Sequence, residues 1–476
     1  MIFTALENKS LKLDAPIKSE HDMLHVYSCR SNNNTEKLIN VLCLFFVFFI
    51  CFSPATVSAG NMADREVLPN GLVLLHSEQN ALPIVRVVLA VRAGSVTEPP
   101  EKAGLANLTA DMLNEGTASR SSREISEQIE FVGGELTTSG GEDYITVTLS
   151  VLKKDVDLGF DLLSDIVLNP AFRDDEIQRR KAIIKSSIRQ QKEEPGIVAS
   201  KAFRKAVFGD HPYGRPVEGT EESLDAITRA DIINFHREYY APNNSILSVV
   251  GDITKKELQA LLDKYFKGWA NKGVTEKPLQ EPRPGTTPRF IKIDKDLTQT
   301  NIILGHLGIN RGNPDFYAVT VMNYILGGGG FASRLMDDIR DNKGLSYDVH
   351  SFFSANKYAG SFQAGLQTKN RTANIAVEEI LKEMERIRTE PVTDKELSDA
   401  KSYLTGSFPL RIDSTKKMAN FLIPVEFYEL GLDYIDRYKR LIESVTKEDI
   451  LRVAKKYLDT KGYVLVMVGN MKQVTQ

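Results

Sequence analysis

Beyond residue 59 the chain has five histidines, at positions 76, 211, 236, 306 and 350, and no two lie within four residues of each other. A helical zinc site needs two imidazoles one turn apart, so the sequence supplies no such pair. His211 sits in a Pro-Tyr-Gly turn and His236 follows Phe235 on a helical pattern. Both read as structural or surface residues. All three cysteines, Cys29, Cys43 and Cys51, precede residue 60. The chain from residue 60 onward therefore has no thiolate for a metal, a nucleophile or a disulfide. No G-x-S-x-G elbow occurs, which argues against a serine hydrolase of the α/β type. The run Gly327-Gly328-Gly329-Gly330 lacks a following Gly-Lys-Ser/Thr, so it is not a phosphate-binding loop. It reads as a helix-to-helix turn needing positive φ; a flexible recognition loop is the alternative.

The elements around these residues form a unit written twice. Pro278, Pro282, Pro284 and Pro288, with Gly273 and Gly285, mark an extended linker over 276–289. It separates a domain at 62–275 from another at 290–476. Thr228, Asp231, Ile232, Tyr239, Val250 and Gly251 recur as Thr446, Asp449, Ile450, Tyr457, Val468 and Gly469, at a constant offset of 218. Each copy opens with Thr and an acidic residue three places on, a helix-start signal, and ends in an apolar strand before Gly. Upstream, strands are expected at 84–92 and 302–308, then helices at 103–114 and 315–326. A second pair of helices, near 120–132 and 332–342, precedes strands at 143–151 and 359–366. Long amphipathic helices come next, near 155–167 and 372–388. The period is too long for a solenoid. The pattern fits an α+β fold of two homologous domains, each a mainly antiparallel sheet with helices on one face.

Composition narrows the function classes. The 476 residues carry 60 basic and 63 acidic side chains, a net charge of −3, which offers no basic excess for nucleic acid. Residues 38–52 form a 15-residue apolar run, shorter than the ~20 a spanning helix needs. Lys37 precedes it, and Val57-Ser58-Ala59 puts small residues where a signal peptidase reads. Residues 1–59 thus read as a signal peptide cleaved after Ala59, with an uncleaved anchor as the alternative. Translation from Met23 is a second possible start. The mature chain is expected to have no membrane span.

The segment Gly104-Leu105-Ala106-Asn107-Leu108-Thr109-Ala110-Asp111-Met112-Leu113-Asn114-Glu115-Gly116-Thr117 resembles the active-site helix of the pitrilysin-type (M16) metallopeptidases. Further matching segments are Gly209–Pro216, Tyr240-Ala241-Pro242-Asn243-Asn244, Ser333-Arg334-Leu335 and Gly344-Leu345-Ser346-Tyr347. The family's zinc site is an inverted H-x-x-E-H completed by a distal glutamate. On that resemblance Asn107, Ala110 and Asp111 stand where the family has His, Glu and His, and Ser187 stands at the distal position. A carboxamide is a poor zinc ligand, a methyl group cannot accept a proton, and one carboxylate holds zinc weakly. The second half has Ala318, Val319 and Met322 at the corresponding positions. No metal is therefore expected on this chain. Arg340 and Tyr347, seven residues apart, match the family's substrate-gripping pair, in which the tyrosine hydroxyl donates to the scissile carbonyl.

The resemblance implies a short, two-domain type in which two chains pair into a clamshell. It is closest in kind to the zinc-less subunits of processing peptidases such as the mitochondrial ones. The expectation is an exported, periplasmic or envelope-associated, non-catalytic subunit of a heterodimeric zinc endopeptidase. Its partner would be a zinc-bearing paralogue, its substrate a peptide, and its site residues Arg340 and Tyr347. The rival expectation is a non-catalytic structural or peptide-binding scaffold of the same fold.

Overall fold

The structure, a computed structural model, describes residues 62–474. The apolar run at 38–52 and the cleavage site at 57–59 lie outside the described residues. Among the described residues no helix is long and apolar enough to cross a membrane.

Two sheets organise the chain. The first contains β1 (Asp64–Val67), β2 (Val73–Glu78), β3 (Ile84–Val91), β4 (Glu135–Ser139), β5 (Ile145–Leu152) and β6 (Ser245–Gly251), in the order β1-β2-β6-β3-β5-β4. The second contains β7 (Arg289–Asp294), β8 (Gln299–Leu307), β9 (Val349–Phe353), β10 (Ser361–Lys369) and β11 (Val464–Gly469), in the order β7-β11-β8-β10-β9. Each sheet has one parallel pairing, β2 with β6 and β7 with β11; the other pairings are antiparallel. The orders match strand for strand once β1 is set aside. The sequence repeat is therefore a repeat of topology.

The first half has helices α1 (Leu105–Met112), α2 (Ser122–Phe131), α3 (Val156–Leu168), α4 (Asp174–Gln191), α5 (Pro195–Phe208), α6 (Glu221–Ala226), α7 (Arg229–Tyr239) and α8 (Lys255–Tyr265). The second has α9 (Phe316–Asn323), α10 (Ala373–Thr389), α11 (Asp394–Ser407), α12 (Thr415–Phe427), α13 (Tyr434–Glu443) and α14 (Lys447–Tyr457), before a short α15 (Met471–Val474). The repeated Thr and acidic residue behave as read. Thr228 with Asp231 and Thr446 with Asp449 form capping boxes at the starts of α7 and α14. In each, the threonine accepts from a free N–H of the first turn and the aspartate accepts from the threonine N–H.

The expectation of helices on one face of each sheet needs correction. Along β3, Val85, Val87, Leu89 and Val91 point into the core of the first half. Val88 and Ala90 point the other way, into a core built largely from the second half. There α12 lies across β3 and β6. Reciprocally, α5 of the first half lies across β8 and β11, where Ala199 and Phe203 pack with Val464, Val466 and Val468. Each sheet is thus covered on its second face by one helix lent from the opposite half. That is why its strands are apolar on both faces rather than alternating.

Residues 270–288 form no helix or strand and join the halves. This linker is pinned by the Leu279 N–H, which donates to Tyr358 Oη at 2.9 Å, and by Glu281 Oε2, which accepts from the Ala359 N–H at 2.9 Å. Beside it the buried Asp143 accepts from Tyr213 Oη (2.5 Å), Tyr428 Oη (3.1 Å) and the Lys357 N–H (3.1 Å). One carboxylate so ties residues of both halves.

Candidate functional site

Helix α1 begins at Gly104, whose φ of 96° suits glycine. No Ser, Thr or Asp caps it. Instead Glu98, only 4 % exposed, accepts from the Gly104 and Ala106 N–H groups, each at 2.9 Å. A carboxylate at this end also meets the positive pole of the helix dipole. Burial pushes the Glu98 carboxyl up to about 7, against the opposing effect of those two N–H donors and the Arg215 charge.

On this helix Ala110 is fully buried in the first core. Its methyl group is packing material. Asn107 lies under the turn between β4 and β5: a Cβ on Gly140 would come within 2.5 Å of the Asn107 Cα. Asp111 faces α4, where Arg180 Nε donates to its Oδ2 at 3.0 Å. Burial raises the Asp111 carboxyl above the ordinary aspartate range, and Arg180 acts in the opposite direction. Ser187, two turns further along α4, is exposed. Tyr240 is buried with its hydroxyl unpaired among the described residues.

This donor set does not fit zinc. The one carboxylate on the helix is engaged by a guanidinium, which carries positive charge to the place a divalent cation would need. Among the described residues no group of three or more His, Cys, Asp or Glu side chains could hold a metal ion. Sequence reasoning missed Arg180. Its spacing of seven residues from Ser187 puts both on one face of α4 and was the available signal.

The second half builds a different constellation. Arg340 lies in a π-helical segment, Met336–Asn342. Tyr347 lies in the loop after it and is 83 % exposed. The loop is fixed at the residue before it: Ser346 Oγ is 2.6 Å from the Asp348 carbonyl and 2.8 Å from that of Gln367. The structure brings the pair together, with the Arg340 Cζ 4.9 Å from the Tyr347 ring centroid. The nearest carboxylate to the guanidinium is Asp341, at 3.8 Å. Nearby Arg334 behaves oppositely. It is buried and grips Glu396 with two hydrogen bonds of 2.6 and 3.1 Å. Burial pushes the Glu396 carboxyl up, but Arg334 and the Thr393 N–H hold it down to about 2. Arg334 is an anchor for α11; Arg340 is left available.

The glycine run also differs from expectation. Only Gly330 has positive φ, at 55°. Gly327 and Gly328 continue α9 as a π-helical turn, Tyr324–Gly328. Gly327 and Gly329 are needed for space: a Cβ on Gly327 would lie 2.5 Å from Ser351 Oγ, and one on Gly329 would lie 2.8 Å from the Tyr324 carbonyl. The histidines are structural where their partners are clear. His76 Nε2 pairs with the Ile253 carbonyl at 2.8 Å and His236 Nε2 with the Val167 carbonyl at 2.9 Å. Burial lowers His236 to about 4, so it stays neutral.

Comparison with known proteins fits this architecture. Residues 73–221 match the family model described as "Insulinase (Peptidase family M16)", and residues 226–404 match "Peptidase M16 inactive domain". A protein of Mycobacterium tuberculosis named as a zinc protease is 29% identical over 425 residues, covering 88% of this chain and 95% of that protein. A Bacillus subtilis protein, also named as a zinc protease, is 26% identical over 413 residues, covering 86% and 100%. Among solved structures, a peptidase M16 inactive domain from Pseudomonas fluorescens superposes with a TM-score of 0.80 at 29% identity, over 86% of this chain and 98% of that one. A Helicobacter pylori protease shares the fold, with a TM-score of 0.80 at 20% identity over 86% and 99%. By the two family models, which together match most of the chain and reach into both halves, and by these relatives, the chain belongs to the M16 peptidase family.

Proposed function

We propose that the chain is the non-catalytic subunit of an exported heterodimeric M16 endopeptidase, lending Arg340 and Tyr347 to a partner that carries the zinc. The observation behind this reading is the contrast between two arginines. Arg180 closes the degenerate metal face by pairing with Asp111, while Arg340 stands beside an exposed tyrosine, donates no hydrogen bond to the protein among the described residues, and has its neighbouring carboxylate, Asp341, only at 3.8 Å. In this reading Arg340 holds carbonyl oxygens of an extended peptide through its fork of N–H donors. Tyr347 donates its hydroxyl to the scissile carbonyl as negative charge develops there. Export rests on the apolar run at 38–52 and the Val57-Ser58-Ala59 site. It predicts a mature N-terminus at Gly60, read by N-terminal sequencing of the envelope-fraction protein. Intact Met1 on a cytoplasmic product would overturn it.

The test of the active-site role is steady-state kinetics of the chain reconstituted with a zinc-bearing paralogue. Tyr347→Phe should leave assembly intact and slow turnover ~10²–10³-fold, the usual loss for one oxyanion donor. Arg340→Ala should raise KM more than it lowers kcat, because the arginine grips peptide in ground and transition states alike. Unchanged rates with both variants would make the pair structural and favour the scaffold reading.

A further inference from the structure

A third side chain shares the Arg340 surface. Phe331 is 70 % exposed, and its ring centroid lies 4.5 Å from the Arg340 Cζ, closer than that of Tyr347. Two aromatic rings therefore contact one guanidinium by cation–π attraction. Among the described residues that guanidinium donates no hydrogen bond to the protein. Its contacts are the two rings and the 3.8 Å approach to Asp341. A charged donor held in place by rings, with its N–H groups unspent, is arranged for an acceptor that the chain does not supply.

The position of Phe331 is set by the backbone. It lies in the 3₁₀ turn Gly330–Ala332, and Gly330 reaches its φ of 55° without strain. The turn is closed by Ser333, whose N–H and Oγ both reach the Gly330 carbonyl, at 3.0 and 2.6 Å. Behind it, the close packing of Gly327 on Ser351 fixes the run against β9. The ring is presented to solvent by a defined turn, although a residue of this size is ordinarily covered.

We propose that Phe331 is a specificity-determining residue: with Tyr347 it forms an apolar surface around Arg340 that selects peptides carrying a large apolar side chain beside the carbonyl held by the guanidinium. This deepens the proposed function and rests on its reading of Arg340 as a peptide-binding group. A carbonyl accepting from Arg340 carries its neighbouring side chain to the rings. A phenylalanine there removes apolar surface from water on both partners. Alanine leaves the rings wet. A lysine brings positive charge towards Arg340 and is disfavoured twice.

The probes are three short fluorescent peptides, identical except for Phe, Ala or Lys at one central position. Binding to the full chain is read by fluorescence anisotropy, without any partner protein. The wild type should prefer Phe over Ala by about tenfold, in the range of one apolar contact, with Lys weakest. Phe331→Ala should bring the Phe and Ala peptides within about twofold of each other while leaving the Ala peptide little changed. Phe331→Tyr, which keeps the ring, should restore the preference. Arg340→Ala should weaken all three together. Equal affinities on the wild type, an unaltered preference in Phe331→Ala, or no binding tighter than about 1 mM would overturn the inference. These readouts are separate from those of the reconstituted enzyme. Loss of selectivity with no kinetic effect of Tyr347→Phe would fail the trans-acting reading alone, and the converse would fail this one alone.

Discussion

The degenerate face of α1 and the exposed surface around Arg340 show two ways of treating charge. At α1 the carboxylates are engaged within the chain. Glu98 takes two backbone N–H donors, and Asp111 takes Arg180. Around Arg340 the charge is positioned by rings and left without a strong acceptor. The first arrangement is complete within the chain and contributes to folding. The second has no hydrogen bond from its guanidinium among the described residues, and a ligand there is what our proposal adds. Two halves with the same strand order thus differ in how they treat charge: one pairs it within the chain, and the other leaves a guanidinium between two rings.

The largest effect that would break this comparison comes from rebuilding the metal face. Converting Asn107→His, Ala110→Glu, Asp111→His and Ser187→Glu restores the family's ligand types. We expect this quadruple variant to hold zinc poorly, because Arg180 still brings its positive charge to the site. Adding Arg180→Gln should improve zinc affinity ~10–100-fold, the range for groups that act on a metal through its ligands. The check is elemental analysis after equilibrium dialysis against buffered zinc. Equal affinity with and without Arg180→Gln would mean that the arginine is a bystander. The wild-type chain, measured alongside, should hold no stoichiometric zinc.

The next effect concerns Glu98. Its pKa is raised in the folded chain, from the ordinary 4.5 to about 7. A folded-state pKa above the unfolded one means that the native state binds the proton more tightly. Its contribution to stability is therefore full below about pH 4.5 and is lost as pH rises through about 7. Glu98→Gln removes the titration and replaces one acceptor oxygen with an amide that cannot accept from the α1 backbone. It should cost ~1–3 kcal/mol, the penalty of leaving a buried N–H unpaired, and should flatten the pH dependence between pH 5 and 7.5. Urea unfolding across that interval measures both. An identical pH slope in wild type and variant would place the titration elsewhere.

Much of this architecture was legible because it rests on local signals. The helix after Thr228 and Asp231 and its copy after Thr446 and Asp449 follow from capping chemistry. The strands expected at 84–92 and 143–151 are β3 (Ile84–Val91) and β5 (Ile145–Leu152). What was not legible depends on contacts distant in sequence. The parallel pairings of β2 with β6 and β7 with β11 join segments far apart in the chain. The lending of α5 and α12 between halves leaves no periodic trace of its own. The π-helical turns at Tyr324–Gly328 and Met336–Asn342 stand where ordinary helix was expected and, for Gly327 and Gly328, a helix-to-helix turn; the first accommodates the tight approach of Gly327 to Ser351. At the site, the resemblance located Asn107, Ala110, Asp111 and Ser187, but the ion pair between Asp111 and Arg180 required the packing of α1 on α4.

The smallest effect compares the two copies of one cap. Thr228→Ala and Thr446→Ala each remove a side chain that accepts from the first turn of its helix, a loss of ~1 kcal/mol at such positions. The copies differ in what the capping aspartate does next. Asp231 accepts from the Thr228 N–H at 2.8 Å and Thr228 Oγ1 at 2.7 Å, and also pairs with Lys102 on the approach to α1. Asp449 accepts from the Thr446 N–H at 3.1 Å and Oγ1 at 3.0 Å, and pairs with Arg452 on its own helix at 3.1 Å. Burial opposes ionisation of Asp231, yet Lys102 and the Thr228 donors hold its carboxyl below the ordinary range. A depressed carboxylate pKa contributes stability that is present above the unfolded value and lost as pH falls. Thr228→Ala should therefore cost a few tenths of a kcal/mol more than Thr446→Ala, because it also loosens the bond network that reaches α1. The difference should shrink when Lys102→Met is introduced into both backgrounds. Paired urea titrations at pH 7 of the single and double variants form the cycle. Equal costs for the two caps, unaffected by Lys102→Met, would show that the repeated helix starts are independent local devices and that the difference between the halves does not extend to them.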